Sequence, residues 1–444
     1  MPQDLSFYLI PDIHYYEPSL GTTGRAFEDH VKSETNCCEA SAAVFEAVVD
    51  KILSDETTRL VLLPGDLAHD GEYASHLSLI NQLHRLRAAG KKVCVISSKH
   101  DYNDSPCSYN GDKRVPVRGT KKSEIVDLYR DYGYGEAIAF DEVTLSYVVE
   151  PQRGYRVLMI NCDGEFDLPG LFTEHLILWI RAQVEKAKKD GAYVFAVTHF
   201  PILPVFECCE FVPESHVRSW RSIARILADI GIELVFSGQM HIQSVNKFVS
   251  PAGNTLYDIC TSSPCGFPGK FRKVTLRGGK SAEIKSIPVP DFDFDRSGLS
   301  VSDYFEERFR ASVFRRIRSF LELERDGLNA YQNFSLRALD KMTCGRLCAT
   351  VAYHADDSIK DLKVRDLVAD LLVAVFAGDP PYSPETAVYQ DVRGFLGRIP
   401  LIKRAVNRRL SKDTGETIDL EKLVLASISG SKSLPDNNLV IKLK

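Results

Sequence analysis

Short apolar runs alternate with amphipathic stretches over the first two thirds of the chain. Runs this short read as buried strands, and periodic apolar positions read as helices. Phe7 to Ile10 predicts a strand that ends at Pro11-Asp12-Ile13-His14. A helix is expected over Glu39 to Leu53, with Val44, Val48 and Ile52 on one face. Leu60 to Leu63 predicts a strand ending in Pro64-Gly65-Asp66, where Gly65 permits a sharp turn. Leu77, Ile80, Leu83 and Leu86 mark the next helix, which Gly90 would end. The strand Lys92 to Ile96 delivers Ser98-Lys99-His100-Asp101, and a polar loop is expected from Tyr102 to Lys122.

The pattern continues with two antiparallel strands, Leu145 to Glu150 and Tyr155 to Asn161. Ile177, Ile180, Val184 and Ala187 mark a helix over Glu174 to Lys188. Tyr193 to Val197 is a strand ending at Thr198-His199. Val217, Trp220, Ala224 and Leu227 mark a helix, and Leu234 to Phe236 a strand that ends at Gly238-Gln239-Met240-His241. Further strands are expected near 256–260, 272–276 and 283–287. Pro288, Pro290 and the acidic-aromatic run from Asp291 predict a linker over 288–296. Phe305, Phe309, Val313, Ile317 and Phe320, then Leu367, Val368, Leu371, Leu372 and Val375, recur at helical spacing. The expected division is therefore a domain over 1–287, a linker, and an all-α domain over 297–444.

Composition narrows the class. The chain has 444 residues, 44% hydrophobic and 26% charged, as expected for a soluble protein of about two domains. Its net charge of −5 gives no reason to expect nucleic acid or an anionic membrane. No apolar run spans a bilayer, and the N-terminus shows no secretory leader. The 11 cysteines form no paired C-x-x-C knuckles, and reduced thiols in a cytoplasmic protein are expected.

Five strand ends carry metal-type ligands in chain order: Asp12 with His14, Asp66, His100 with Asp101, His199, and Gln239 with His241. In open α/β sheets ligands gather at such ends. Carboxylates and imidazoles suit manganese, iron or zinc. On an extended strand end, residues i and i+2 point the same way, so Asp12 and His14 are expected to grip one ion.

These motifs resemble the calcineurin-like metallophosphoesterases. They are Asp12-Ile13-His14, Gly65-Asp66, Lys99-His100-Asp101, Thr198-His199 and Gly238-Gln239-Met240-His241. The block Gly65 to Glu72 with Ser75-His76 is similar to a bacterial branch whose pattern is GDLT-x-x-GE-x-x-SH. Tyr132-Gly133-Tyr134 with Ala137-Ile138, and Leu145-Ser146-Tyr147, also resemble that branch. The resemblance implies an α/β fold of α+β type, a four-layer sandwich of two mixed β-sheets flanked by helices. It implies one or two divalent transition metals (Mn2+, Fe2+/Fe3+ or Zn2+) and a small phosphate-ester substrate. One ion would take Asp12, His14, Asp66 and His241. The other would take Asp66, the Asn of an N-H-D motif, His199 and the first His of G-H-x-H. The metals clamp phosphate and activate the attacking water. His100 would serve the leaving oxygen as general acid, oriented by Asp101.

Two positions depart from that pattern: Lys99 replaces the Asn, and Gln239 replaces the His. Both fall in the second metal site. An ammonium has donors only and cannot ligate a cation. Lys99 is therefore expected to pair with Asp66 and partly replace the second ion. The amide oxygen of Gln239 is a weaker ligand than imidazole. One tight metal is the expectation. The functional reading is a metal-dependent phosphomonoesterase or phosphodiesterase. The alternatives are a catalytically degenerate binding module and a mononuclear metalloenzyme of different chemistry. His69, Glu72 and His76 are expected to support the helix start rather than ligate. The basic residues from Lys113 to Lys122 read as a solvated face, and Cys208 and Cys209 as structural thiols.

Overall fold

The structure is a computed structural model that describes every residue except 1, 103–104, 164–167, 324–340, 415–416 and 430–433, and omits the side chains of 317–323, 405, 409 and 412–414. The chain divides into two compact units. The first comprises Met1–Val205, Pro213–Arg308 and Leu434–Lys444; the second comprises Phe206–Val212 and Phe309–Ser433.

The strands of the first unit are, in chain order, β1 (Leu5–Leu9), β2 (Leu60–Pro64), β3 (Lys92–Ile96), β4 (Cys107–Asn110), β5 (Lys113–Pro116), β6 (Ala139–Asp141), β7 (Ser146–Gln152) and β8 (Tyr155–Ile160). They continue as β9 (Tyr193–Thr198), β10 (Leu234–Ser237), β11 (Ser244–Val249), β12 (Thr255–Cys260), β13 (Lys270–Arg277), β14 (Ser281–Pro288) and β15 (Leu439–Lys442). One sheet has the order β15-β14-β13-β1-β2-β3, the other β11-β12-β10-β9-β8-β7-β6. Each is mixed: β1, β2 and β3 run parallel while β13 to β15 are antiparallel. In the second sheet β8, β9, β10 and β12 pair in parallel, and the β6–β7, β7–β8 and β11–β12 pairs are antiparallel.

The two sheets meet through aromatic side chains. Phe7 of β1 stacks on Phe195 of β9 at 5.3 Å and meets Phe236 of β10 edge-on at 5.2 Å. Helix Glu174–Lys189 buries Leu176, Ile180, Val184 and Ala187 against the second sheet. Helix Trp220–Ile230 buries Ile223, Ala224 and Leu227 in the same core. Of the expected faces there, Ile180, Val184, Ala187, Ala224 and Leu227 are buried, Ile177 and Trp220 are partly buried, and Val217 is buried just before its helix; Val44, Val48 and Ile52 of helix Ser41–Leu53 are buried. Together these elements form the expected mixed-sheet sandwich with flanking helices.

Some expectations shift. In helix Tyr73–Ala88 the buried stripe is Leu79, Leu83 and Leu86, whereas Leu77 is 43% exposed. The i, i+4, i+7 series holds one face, and steps of three drift around the helix. The polar loop from Tyr102 contains the hairpin β4–β5, turned at Gly111 with φ +59. Its two-residue loop is Gly111-Asp112, and glycine at the first loop position is a hairpin signal because that position needs positive φ. The stretch expected as a linker is packed: Phe292 is 5% exposed and stacks on Phe305 at 5.9 Å. Its aromatic residues gain more from burial than a linker allows.

In the second unit, helices Cys344–Ala349, Val364–Ala377, Ala387–Gly397, Pro400–Thr414 and Leu420–Ile428 confirm the helical C-terminal region. Thr343, Thr386 and Asp419 cap three of them through side-chain oxygens. Phe309 meets Phe376 at 4.8 Å. The side chains of Ile317 and Phe320, two of the expected core positions, lie outside the described residues. The region is not helical to its end as expected, because β15 returns to pair with β14. Fully buried Arg272 secures that return by donating to the carbonyls of Asp436 (2.8 Å) and Cys260 (3.0 Å).

Candidate metal centre

The site lies where β1, β2, β3, β9 and β10 end. Beyond β1 and β2 the backbone stays paired: Asp12 N–H donates to Gly65 O at 3.1 Å and His14 N–H to Asp66 O at 2.9 Å. The side chains do not converge by the alternation of an extended strand. Asp12, His14, Asp66, Gln239 and His241 all have left-handed backbone, with φ of 53, 45, 49, 64 and 52°. Each costs about 1–2 kcal/mol in a non-glycine residue. Strain of this kind persists where surrounding structure over-determines it, and it concentrates at functional sites. Two glycines permit the approach. A Cβ on Gly65 would stand 2.9 Å from His199 Nδ1, and one on Gly238 would stand 2.5 Å from Asp12 Oδ2.

The five expected ligands come together. His14 Nε2 lies 3.3 Å from His241 Nε2 and 3.3 Å from Asp66 Oδ2. His241 Nε2 lies 3.5 Å from Asp12 Oδ1, and His199 Nε2 lies 3.4 Å from Asp66 Oδ2. Two groups, Asp12-His14-His241 and Asp12-Asp66-His199, have donor atoms within 4.8 Å of one another. Asp66 Oδ2 thus sits between two imidazoles, while its Oδ1 accepts the Ser98 hydroxyl.

Charge at the site is unbalanced toward cation binding. Burial opposes ionisation of Asp66, but His199, His100 and His14 outweigh it and hold the carboxyl well below its usual range. Burial drives His14 well below the usual imidazole value; Asp66 opposes this, and His241, His100 and His69 reinforce it. Burial also opposes charge on His199, yet Asp66, Asp12 and Asp163 carry it well above that value.

Lys99 does not pair with Asp66 as expected. Its Nζ bonds Glu214 Oε2 at 2.7 Å, an ion pair whose side chains are 34% and 45% exposed. Gln239 turns its amide oxygen inward, 2.6 Å from His199 Nε2, and its Nε2 donates to Glu214 O at 3.3 Å. His199 Nδ1 donates to Pro64 O at 2.8 Å, which leaves Nε2 as an acceptor in the neutral ring. Nε2, Asp66 Oδ2 and Gln239 Oε1 are then three acceptors facing one another. Only a positive charge, a proton or a metal ion, satisfies them. Among the described residues, Asp12 Oδ2 is buried without a hydrogen-bond partner. The donor set fits a divalent transition metal.

His100 lies beside the ligands, its ring 5.5 Å from that of His14. Asp101 does not orient it through the carboxylate as expected. Asp101 Oδ1 accepts the N–H groups of Leu67 (2.8 Å) and Ala68 (2.9 Å), and Oδ2 that of Ser98 (2.8 Å). It pins the loop carrying Asp66 to the turn carrying His100. His76 supports that turn, its ring between Tyr129 Oη (2.6 Å) and Asp101 O (2.9 Å).

Three neighbours escaped the sequence reading. Ser98 holds Asp66, Glu214 holds Lys99 and Gln239, and buried Asp163 accepts the Lys99 N–H at 2.9 Å. Burial, aided by Asp66 and opposed by His199, raises the Asp163 carboxyl to about 6. The run Asn161-Cys162-Asp163 at the end of β8 was its only signal.

Residues 5–243 match the model of the calcineurin-like phosphoesterases, and the chain belongs to that family. No curated protein matches it. It is similar to a dimetal phosphatase from Danio rerio, with 14% identity, a TM-score of 0.48, and coverage of 66% of this chain and 98% of that one. It is also similar to purple acid phosphatase PPD1 from yellow lupin, Lupinus luteus, with 11% identity, a TM-score of 0.41, and coverage of 66% and 53%. A third similar structure is a putative 5'-nucleotidase from Staphylococcus aureus, with 12% identity, a TM-score of 0.38, and coverage of 83% and 72%. Among the described residues no helix is long and apolar enough to cross a membrane.

Proposed function

We propose that the protein is a metal-dependent phosphoesterase acting on a small phosphomonoester or phosphodiester. The observation that carries this is the convergence of Asp12, His14, Asp66, His199 and His241, with Asp12 Oδ2 buried and unpartnered among the described residues. Asp12, His14, Asp66 and His241 would hold a tight first ion, of manganese, iron or zinc. Asp66, His199 and Gln239 would hold a weaker second one, lacking the ligand that Lys99 replaces. When bound, such ions polarise the phosphoryl group and supply a nucleophilic water at neutral pH. The likeness of Gly65 to Glu72 to the bacterial branch supports the same reading.

The chain's own residues do the rest. Asp66 fixes both halves of the site through Oδ2 and is itself fixed by Ser98. His100, next to His14 and on a turn anchored by Asp101, donates a proton to the leaving oxygen. Lys99 exchanges its half-exposed partner Glu214 for a phosphate oxygen, since exposed ion pairs contribute about 0–1 kcal/mol.

The test is turnover of p-nitrophenyl phosphate and bis(p-nitrophenyl) phosphate with Mn2+, wild type beside Asp66→Ala. Metal-dependent release by the wild type, lost in the variant, supports the proposal. Equal rates in the two proteins reject it for these substrates.

A further inference from the structure

A second donor cluster adjoins these ligands, with the His69 ring 6.3 Å from that of His14. His30 lies on helix Arg25–Ser33, Cys38 in the turn before helix Ser41–Leu53, and His69 in the loop after β2. One ring nitrogen of each histidine and the Cys38 sulfur all lie within 4.8 Å of one another. The two imidazoles face each other directly, with Nε2 to Nε2 at 2.8 Å. Three separate segments thus aim two nitrogens and a thiol at one point.

The surroundings are rigid. Cys38 packs with Tyr16, Phe27 and Tyr109 in a small core. The His30 ring stacks on Tyr109 at 5.2 Å, and the His69 ring meets Tyr16 edge-on at 5.8 Å. Glu34 Oε1 stands 4.0 Å from His30 Nδ1, the nitrogen facing away from the cluster. At that distance the carboxylate is a charge neighbour rather than a hydrogen-bond partner, and it favours positive charge at the cluster. Asp70 Oδ2 stands 3.9 Å from His69 Nε2, beside the three donors.

We propose that His30, Cys38 and His69 form a separate site for a thiophilic divalent ion of the zinc type. Two imidazoles and a thiolate are a zinc donor set, and the fourth position is open to Asp70 or water. Coordination takes Cys38 as the thiolate, with its proton passing to solvent. The proton shared between the two Nε2 atoms moves to the Nδ1 of the ring that carried it. Tetrahedral nitrogens about 2 Å from zinc stand about 3.3 Å apart, so the rings need to separate by only about 0.5 Å. The site differs in kind from the Asp/His centre. Thiolate selects zinc and cobalt, whereas carboxylate and imidazole also accept manganese. The competing explanation is a buried histidine pair sharing one hydrogen bond, with a cysteine beside it by packing alone.

Cobalt separates the two. Among the described residues, this is the only His/Cys/Asp/Glu grouping that contains a cysteine. A thiolate-to-Co2+ charge-transfer band in the near ultraviolet therefore reports it, and the Asp/His centre gives none. The full-length protein is stripped with chelator and titrated with Co2+ alone. The expected result is one equivalent giving the band, displaced by Zn2+, lost in Cys38→Ser and in His30→Gln, and retained in Asp66→Ala. No band in the folded wild type, or a band that survives both substitutions, overturns the proposal. Circular dichroism of each variant shows whether it folds. If Cys38→Ser does not, His30→Gln decides, because its position on helix Arg25–Ser33 lies outside both sheets. If neither folds, the presence or absence of the band in the wild type decides.

Discussion

Lys99 Nζ pairs with Glu214 Oε2 at 2.7 Å. The carbonyl of the same Glu214 accepts the Gln239 amide at 3.3 Å. Both positions at which the chain departs from its family's second metal site are held by one residue. The ammonium stays at the rim, so Asp66 Oδ2 keeps its place between His14 and His199. Glu214→Gln releases Lys99 toward Asp66. Fold stability then changes by less than about 1 kcal/mol, as for other exposed pairs. Affinity for a second metal equivalent falls several-fold, which calorimetry measures; an unchanged second affinity contradicts this role for Glu214.

The converse change strengthens the second site. Lys99→Asn with Gln239→His supplies the two ligands that the family pattern has there. Second-ion affinity should rise by about 10–100-fold, the scale on which ligand and support residues act. Equilibrium dialysis against Mn2+ reads it, and no rise in occupancy would show that more than ligand loss separates the two sites.

Asp101 acts on the fold before it acts on chemistry. It is fully buried and accepts three backbone N–H groups from two loops. Asp101→Ala leaves those donors unsatisfied and costs about 3 kcal/mol or more. Urea denaturation measures the loss. An orienting partner of His100 alone would lower activity and leave the denaturation midpoint in place.

His76 makes stability depend on pH. Its Nε2–H donates to the Asp101 carbonyl and its Nδ1 accepts the Tyr129 hydroxyl, which fixes a neutral ring. Burial lowers it from 6.5 to about 4, partly offset by the Asp101 carbonyl. The unfolded chain binds this proton more tightly. The contribution is complete above pH 6.5 and is lost as pH falls toward 4, about 3 kcal/mol in all. His76→Gln should flatten that part of the stability–pH profile, and a profile of unchanged slope would assign the acid limb to other groups.

Much of this was legible because it is local. Asp12, His14, Asp66, His100, His199 and His241 each follow a short apolar run that reads as a buried strand, and parallel strands bring their ends together. What escaped depends on distance in sequence. Lys99 chooses Glu214 over Asp66 through a loop 115 residues away. Asp101 spends its oxygens on backbone that no side-chain pattern reveals. His30, Cys38 and His69 lie on three segments whose meeting no periodicity encodes. The hairpin turned at Gly111-Asp112 is different: its turn signal is local, but it lies within a polar stretch that reads as loop.

The proposed metal centre holds one ion tightly at the Asp/His ligands and a second more weakly. Calorimetric titration of chelator-stripped protein with Mn2+, an ion that avoids the thiolate cluster, tests it directly. One tight equivalent is expected, absent in Asp12→Asn, followed by a second bound at least tenfold more weakly. Two equally tight equivalents, or a tight one that survives Asp12→Asn, would contradict it.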